Sequence, residues 1–84
     1  MNHRASPAFW SCYRRLPVDV QRQADRAFAL LRRDPRHPSL HFKKVGGLWS
    51  ARIGRQYRAL AEETADGLLW IWIGSHAGYD RKIP

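Results

Sequence analysis

Residues 48–76 read LWSARIGRQYRALAEETADGLLWIWIGSH, and their pattern is the strongest indication of the fold class in the chain. Three runs in it, residues 48–53, 57–63 and 68–73, have the alternating or continuously apolar pattern of β-strands. Turns that contain glycine separate the runs, and the second turn holds Asp66-Gly67, a strong hairpin signal. The stretch therefore predicts an antiparallel meander. Its most apolar run, 68–73, is the candidate for the central strand.

Two helices are predicted upstream of these strands. Ser6-Pro7 is a helix-start signal, because serine can cap free backbone N–H groups and proline suits the first turn. The first helix would run from residue 7 to about residue 15. The second would run over residues 17–33, where apolar side chains recur at helical spacing, and would end at Asp34-Pro35. We expect its buried face to comprise Val20, Ala24, Ala27, Phe28 and Leu31.

The remaining segments carry weaker patterns. Residues 40–45 form a short extended piece that ends in a Gly46-Gly47 turn. Residues 1–5 could form at most a short edge strand, and the polar residues 75–84 predict no further helix. Helices followed by a meander predict an α+β fold, in which the N-terminal helices pack on one face of a three- to four-stranded antiparallel sheet.

Length and composition limit the classes of protein to which this chain can belong. The 84 residues suffice for one domain, spanning residues 1–84, and not for two. No run of about 18 apolar residues is present to cross a membrane, and no secretory signal opens the chain. The single cysteine, Cys12, excludes an internal disulfide and a cysteine zinc cage. We therefore expect a small soluble protein of the cytoplasm.

The chain is strongly basic. Lys and Arg total 15 against 7 for Asp and Glu, which gives a formal net charge of +8, and twelve of the 15 cations are arginine. Arginine is preferred over lysine for planar, two-point contacts with phosphate or carboxylate and for stacking on bases. The bias favours a polyanionic partner, either nucleic acid or an acidic protein. The alternative is a solvated basic surface with no specific partner.

Alternation along the strands divides their side chains between two faces. We expect the helices to cover the face that bears Ala51, Ala59, Leu69 and Ile71. The opposite, open face would then carry Ser50, Arg52, Arg58, Leu60, Trp70, Trp72 and, beyond Gly74, His76. Cations beside exposed aromatic rings suit single-stranded nucleic acid, where bases stack and phosphates pair. The alternative is that the two tryptophans are core residues and the arginines a solvated edge.

The sequence lacks the residue patterns that several classes of enzyme require. Glu62 and Glu63 are adjacent and point to opposite faces, which argues against a glycosidase. The four histidines lack metal-ligand spacing, and no glycine-rich phosphate loop precedes a helix. Neither a metal nor a cofactor is therefore expected. The reaction class that the available residues support is chemistry on a phosphodiester. Arginine can neutralise transition-state charge, histidine or tyrosine can move protons, and RNA supplies its own 2′-hydroxyl nucleophile.

Several runs, in their order and spacing, resemble the RelE/ParE toxin superfamily. They are HPSLHFKK at 37–44, WSARI at 49–53, YRAL at 57–60, and WIWIGSH at 70–76 followed by Tyr79-Asp80. The His-x-x-Tyr-Asp ending is most similar to the small HigB/RelE-like branch. The resemblance implies a β-α-α-β-β-β microdomain and a toxin of a type II toxin–antitoxin pair, held in a hetero-oligomer by a cognate acidic antitoxin.

The resemblance also implies an activity and a site. RelE-like toxins cleave mRNA in the ribosomal A site without a metal, whereas ParE-like toxins use the same fold to inhibit DNA gyrase. Arg58 and Arg52 would bind the phosphate and the transition state, His76 would act as general acid or base, and Tyr79 would stack on or orient the substrate. Contacts to mRNA and ribosomal RNA would come from Lys43, Lys44, Arg55, Trp70, Trp72 and Arg81.

The chain departs from the RelE-like pattern in three respects. Ser50 stands where RelE-like enzymes carry a lysine, the first strand is very short, and no C-terminal helix is predicted. The leading hypothesis is a ribosome-dependent mRNA endoribonuclease. The alternatives are a gyrase inhibitor and an inactive module that binds only antitoxin or RNA.

Overall fold

The computed structural model describes residues 2–82. Its helices are α1 (Pro7–Arg14), α2 (Val18–Arg33) and α3 (His76–Lys82), with a 3-10 turn at Pro38–Leu40. Its strands are β1 (Asn2–Ala5), β2 (Lys43–Val45), β3 (Leu48–Ile53), β4 (Tyr57–Thr64) and β5 (Gly67–Ser75). The α+β class, the two N-terminal helices and the meander are therefore confirmed. None of the helices within residues 2–82 has both the length and the apolar character needed to cross a membrane.

The sheet has five strands in the order β1-β5-β4-β3-β2, rather than three or four. It is mixed, because β1 pairs with β5 in parallel while the other pairs are antiparallel. The central strand is consequently β4, and the apolar β5 is its interior neighbour. The prediction of β5 as the central strand was wrong, because an apolar run marks a strand that is buried and paired on both sides, as β5 is between β1 and β4, and does not mark the middle of the sheet.

The Asp66-Gly67 hairpin explains how such a polar segment joins the sheet. The Asp66 carboxylate accepts a hydrogen bond from Asn2 Nδ2 at 2.9 Å and lies 3.2 Å from Arg4 Nη2. These partners, with the hydrogen bond from Asn2 as the largest cause, lower the pKa of Asp66. Gly67 faces the Asn2 backbone so closely that no β-carbon fits there. The turn therefore provides both the close approach and the polar partners that hold β1.

The helix boundaries follow local rules at their ends. Ser6 Oγ accepts a hydrogen bond from the Phe9 amide at 3.1 Å, so the predicted N-cap of α1 is confirmed. Helix α2 ends at Arg33, and Asp34 leaves the helical region before Pro35. Helix α3 was not predicted, because its sequence HAGYDRK carries only one large apolar side chain, Tyr79. That side chain is 9% exposed, so tertiary packing stabilises the helix.

A bulge between β4 and β5 reverses which side chains of β5 face the helices. Leu60 pairs with Trp72 and Ala61 pairs with Trp70, so Ile71 has no partner in β4. One extra residue shifts every preceding side chain to the other face. Leu68 and Trp70 therefore lie in the core under α1 and α2, at 2% and 6% exposure. The prediction that Trp70 lies on the open face was wrong for this reason, whereas Trp72 stays on the opposite face.

Trp70 is tied to β1 through His3. The Trp70 Nε1–H donates to His3 Nδ1 at 3.1 Å, and the two rings are stacked with centroids 6.2 Å apart. An Nδ1 that accepts this bond must be unprotonated. Burial lowers the pKa of His3 from 6.5, and nearby positive charge, including that of Arg32, lowers it further.

This geometry predicts that the free energy of unfolding falls as the pH is lowered. The folded chain binds the His3 proton less readily than the unfolded chain, so the stabilisation is complete above pH 6.5 and is lost as the pH falls through 6.5 to the lower folded pKa. Urea unfolding of wild type and His3→Gln between about pH 5 and pH 8 measures the effect, since this interval contains the unperturbed histidine pKa. The two stability curves should converge toward acid pH. Curves that stay parallel would contradict the assignment.

Candidate active site

Helix α3 lies on the sheet face opposite α1 and α2, which we call the second face. The Arg58 guanidinium in β4 lies 5.0 Å from the centre of the Tyr79 ring in α3, and Gly78 lies against the Trp72 ring. Leu60, between Arg58 and the bulge, is only 1% exposed. The second face is therefore partly covered, and the prediction of an open sheet surface there was wrong.

Arg58 combines a charge with unused hydrogen-bonding capacity. Its distance from the Tyr79 ring is that of a cation–π contact, which holds the guanidinium in place. Its Nη1 is buried and has no hydrogen-bond partner among the described residues. Burying a donor without a partner is costly, so this N–H is suited to donate to an acceptor that the described residues do not supply. An anionic oxygen is the strongest partner available to a guanidinium.

His76 is placed beside the same tyrosine. The His76 backbone N–H donates to the Gln56 carbonyl at 2.7 Å, which fixes the start of α3 to the turn before β4. The His76 and Tyr79 rings are stacked with centroids 5.8 Å apart. The imidazole is exposed, and its Nε2 lies 3.7 Å from the Asp80 carboxylate. The structure thus brings Arg58, Tyr79 and His76 into one contiguous group, which we call the α3 cluster.

Arg52 lies next to this cluster but is turned toward the edge of the sheet. It is the cross-strand partner of Arg58. Its Nε donates to the Gly54 carbonyl at 2.8 Å, and its Nη1 lies 3.4 Å from His41 Nε2. No site role was assigned to His41 or Asp80 from the sequence, although Asp80 belongs to the His-x-x-Tyr-Asp ending. The run that contains His41 was part of the family resemblance, but its approach to Arg52 depends on the left-handed turn at His41, where φ is 44°.

The exposed cations predicted to contact RNA lie in different places. Lys43 pairs with Ser50 and is exposed on the second face. Arg55 is exposed in the turn before β4, and Arg81 is exposed on α3. Ser50 itself is fully buried, and its Oγ has no hydrogen-bond partner within residues 2–82.

Lys44 is directed away from the α3 cluster. It pairs with Trp49, whose ring packs against the core on the helix side. Its Nζ lies 3.6 Å from Glu63 Oε1, which also accepts a hydrogen bond from Trp49 Nε1 at 2.9 Å. The bond from Trp49, followed by the charge of Lys44, lowers the pKa of Glu63. Lys44 is therefore engaged in a surface ion pair away from the second face.

A second feature is an apolar cleft between α1 and α2. The cleft encloses about 270 Å³, and core residues such as Trp70 form its floor. Trp10 of α1 and Phe28 of α2 stand at its rim with 45% and 40% exposure. The guanidinium of Arg32 lies 5.8 Å over the Phe28 ring, so the rim also carries positive charge. Within residues 2–82, His, Cys, Asp and Glu form no group of three that could hold a metal ion.

Comparisons with known proteins agree with this architecture. The sequence matches the family model of the ParE-like toxin domain over residues 18–81. No curated protein matches it. A chain of the RelB–RelE antitoxin–toxin complex from Methanococcus jannaschii superposes with a TM-score of 0.73 at 13% identity, over 96% of this chain and 99% of that chain.

Two further solved structures share the fold. A chain of the toxin–antitoxin complex RelBE2 from Mycobacterium tuberculosis has a TM-score of 0.66 at 20% identity, over 89% of this chain and 96% of that chain. YafQ from E. coli has a TM-score of 0.64 at 15% identity, over 93% of this chain and 96% of its own.

Proposed function

The chain belongs to the ParE-like toxin domain family, as its sequence resemblance predicts, and on this premise we propose that it is the toxin of a type II toxin–antitoxin pair and cleaves mRNA on the ribosome. The observation that carries the proposal is Arg58, whose buried Nη1 has no partner among the described residues and whose guanidinium contacts the Tyr79 ring on which His76 stacks. A fixed cation next to an exposed imidazole supplies the two functions that phosphodiester cleavage requires. Membership of the small branch with the His-x-x-Tyr-Asp ending stays a prediction.

The proposed reaction uses the nucleophile of the substrate. The RNA 2′-hydroxyl attacks the adjacent phosphorus, and the bond from phosphorus to the 5′-oxygen breaks. One fragment then ends in a 2′,3′-cyclic phosphate and the other in a 5′-hydroxyl. His76 takes the proton from the 2′-hydroxyl or gives one to the departing 5′-oxygen, and water exchanges the other proton. Arg58 donates to the non-bridging phosphate oxygens, where negative charge develops in the transition state.

The positions of the remaining candidates support more specific proposed roles. Tyr79 is 9% exposed and holds Arg58 through its ring, so we propose that it orients the arginine instead of stacking on a base. Arg52, anchored at the sheet edge, would add charge to the phosphate site. Lys43, Arg55 and Arg81 are exposed and would contact the backbone of mRNA or ribosomal RNA. The ribosome places this action in the cytoplasm.

Gyrase inhibition is the second candidate function. It is favoured by the match to the ParE-like domain and by the buried Ser50, which puts no charge where RelE-like enzymes carry a lysine. An inactive module that binds only antitoxin or RNA is the third.

Induction of the protein in cells without an antitoxin separates the three functions. We expect growth arrest and new 5′-hydroxyl ends within coding sequences when cellular RNA ends are mapped. Intact mRNA together with a DNA-damage response would favour the gyrase inhibitor. Normal growth at confirmed expression would favour the inactive module.

The partner that we propose is a cognate antitoxin with an acidic, amphipathic segment. The net charge of +8 attracts such a segment, and it would fold as it wraps the basic surface. The cleft between α1 and α2 offers its apolar side chains a site, because Trp10 and Phe28 are exposed there and Arg32 supplies positive charge at the rim.

The affinity of this complex should depend on salt. We expect Kd for the cognate acidic antitoxin to rise at least about tenfold from about 50 to about 500 mM NaCl, because screening weakens charge attraction. Trp10→Ala should raise Kd by a similar factor at both concentrations, since its contribution is apolar. Titration calorimetry measures both effects. An affinity that does not change with salt would contradict the electrostatic part of the proposal.

A further inference from the structure

Two glycines lie against the edge of one indole ring, that of Trp72. A β-carbon at Gly78 in α3 would lie 2.9 Å from Trp72 Cζ2 and 3.4 Å from Cη2. A β-carbon at Gly74, near the end of β5, would lie 2.5 Å from the same Cζ2. Contacts this short are tighter than carbon atoms accept at their optimal separation. The outer edge of the ring is therefore the point at which α3 and the end of β5 both touch it.

The ring is itself fixed from below. Trp72 stands on the second face, opposite Leu60 in β4, and Leu60 is 1% exposed. The Gly78 N–H donates to Ser75 Oγ at 3.3 Å, which holds the first turn of α3 to the end of β5. The half-buried indole thus lies between the sheet and α3.

The contact at Gly78 determines where the α3 cluster stands. Tyr79 follows Gly78 directly and holds Arg58 at 5.0 Å, while His76 lies two residues earlier and stacks on Tyr79. A change in the height of α3 at Gly78 must move both side chains relative to Arg58, which belongs to the sheet. Misplacement of catalytic groups by about 1 Å can reduce a rate about 100-fold.

We propose that Trp72 is a positioning residue, whose indole edge sets the height of α3 above the sheet and so holds Tyr79 and His76 in place over Arg58. This role differs from the RNA-binding role that the sequence suggests for Trp72. Its consequence for catalysis rests on the proposed endoribonuclease function, whereas the docking of α3 on the indole does not.

Two substitutions that change the sizes of the two contacting residues, Gly78 and Trp72, in opposite directions test the proposal. Gly78→Ala adds a methyl group against the ring edge, and Trp72→Phe removes the outer edge that it meets. We expect each single variant to cleave ribosome-bound mRNA roughly 10- to 100-fold more slowly than wild type. The double variant should recover at least about tenfold over Gly78→Ala, because the smaller ring makes room for the methyl group. Trp10→Phe makes the same chemical change on α1, and combined with Gly78→Ala it should give no recovery.

Two further measurements report α3 docking without RNA. Amide hydrogen exchange in α3 should accelerate in Gly78→Ala and slow again in the double variant with Trp72→Phe. The Tyr79 ring should shift the Nε–Hε resonance of Arg58. This resonance should change position in Gly78→Ala and return toward its wild-type position in the double variant. If Gly78→Ala does not fold, recovery of folding in the double variant is the expected result.

The possible outcomes separate this proposal from the proposed function. A double variant no better docked than Gly78→Ala would overturn the positioning role, as would a cleavage loss equal to the product of the two single losses, which is the behaviour of an RNA-stacking tryptophan. If wild type does not cleave mRNA, the endoribonuclease function fails, and hydrogen exchange and the Arg58 resonance still decide whether Trp72 positions α3.

Discussion

Arg58→Ala is expected to slow cleavage of ribosome-bound mRNA by at least about 100-fold, the loss that follows removal of one donor to a developing oxyanion. The reason is geometric. Arg58 Nη1 is buried without a partner among the described residues, and the Tyr79 ring fixes the guanidinium at 5.0 Å. Alanine removes both the charge and the hydrogen-bond donors from the phosphate site. Single-turnover cleavage of a defined mRNA on purified ribosomes measures the effect.

Matched variants distinguish this role from general loss of charge. Arg55→Ala removes an exposed arginine three residues away and should change the rate by no more than about threefold, since one phosphate contact among many is lost. Arg58→Lys keeps the charge but loses the planar fork, so its rate should fall between those of wild type and Arg58→Ala. Equal rates for Arg58→Ala and Arg55→Ala would exclude Arg58 from the catalytic group.

Trp70→Ala is expected to lower the free energy of unfolding by about 3–5 kcal/mol, the range for removing a large aromatic side chain from a core. Trp70 is 6% exposed and also donates a hydrogen bond to His3, so the substitution leaves both a cavity and an unpaired Nδ1. A small domain has a total stability of about 5–15 kcal/mol, so a large part of it would be lost. Urea unfolding followed by circular dichroism measures the change.

The control for this prediction is the same substitution at an exposed site. Trp10 is 45% exposed on α1, and Trp10→Ala should cost clearly less, about 1 kcal/mol, because nearly half of this residue is already exposed to water in the folded chain. Trp70→Phe should give an intermediate loss, since it keeps most of the apolar volume but not the bond to His3. Equal losses for Trp70→Ala and Trp10→Ala would contradict the placement of Trp70 in the core.

The contrast between Trp70 and Trp72 shows how far the sequence can predict this fold. The Asp66-Gly67 turn, the Ser6 cap and the Asp34-Pro35 stop act over a few residues, so they could be predicted from local chemistry. The apolar run 68–73 contains no polar side chain to mark a face, and a bulge inside it therefore leaves no trace in the pattern. Half of β5 was consequently assigned to the wrong face.

Long-range contacts explain the other differences between the predicted fold and the observed fold, which are strand β1 and helix α3. Strand β1 forms because Asn2 and Arg4 meet Asp66 far along the chain, and no local pattern predicts such a meeting. Helix α3 forms because Tyr79 is buried against the second face. Both elements depend on the sheet that they join, so their own residues carry little of the local sequence pattern that indicates a strand or a helix.

The candidate site was partly accessible to sequence reasoning. Strand parity and the family resemblance pointed to Arg58 and His76, and in the structure each of them contacts the Tyr79 ring. The burial of Tyr79 and the approach of His41 to Arg52 could not be predicted, because both depend on how α3 and the turn at His41 fold back on the sheet. The catalytic roles of these side chains stay predictions.

The ends of the RNA fragments test the proposed chemistry of Arg58 and His76 most directly. Purified protein is incubated with ribosomes that carry a defined mRNA, and the fragments are analysed by mass spectrometry. We expect 2′,3′-cyclic phosphate and 5′-hydroxyl ends, and no cut where a 2′-deoxynucleotide replaces the nucleotide that supplies the nucleophile. Intact mRNA with the wild-type protein, or cleavage that persists at the 2′-deoxy position, would contradict the proposed mechanism.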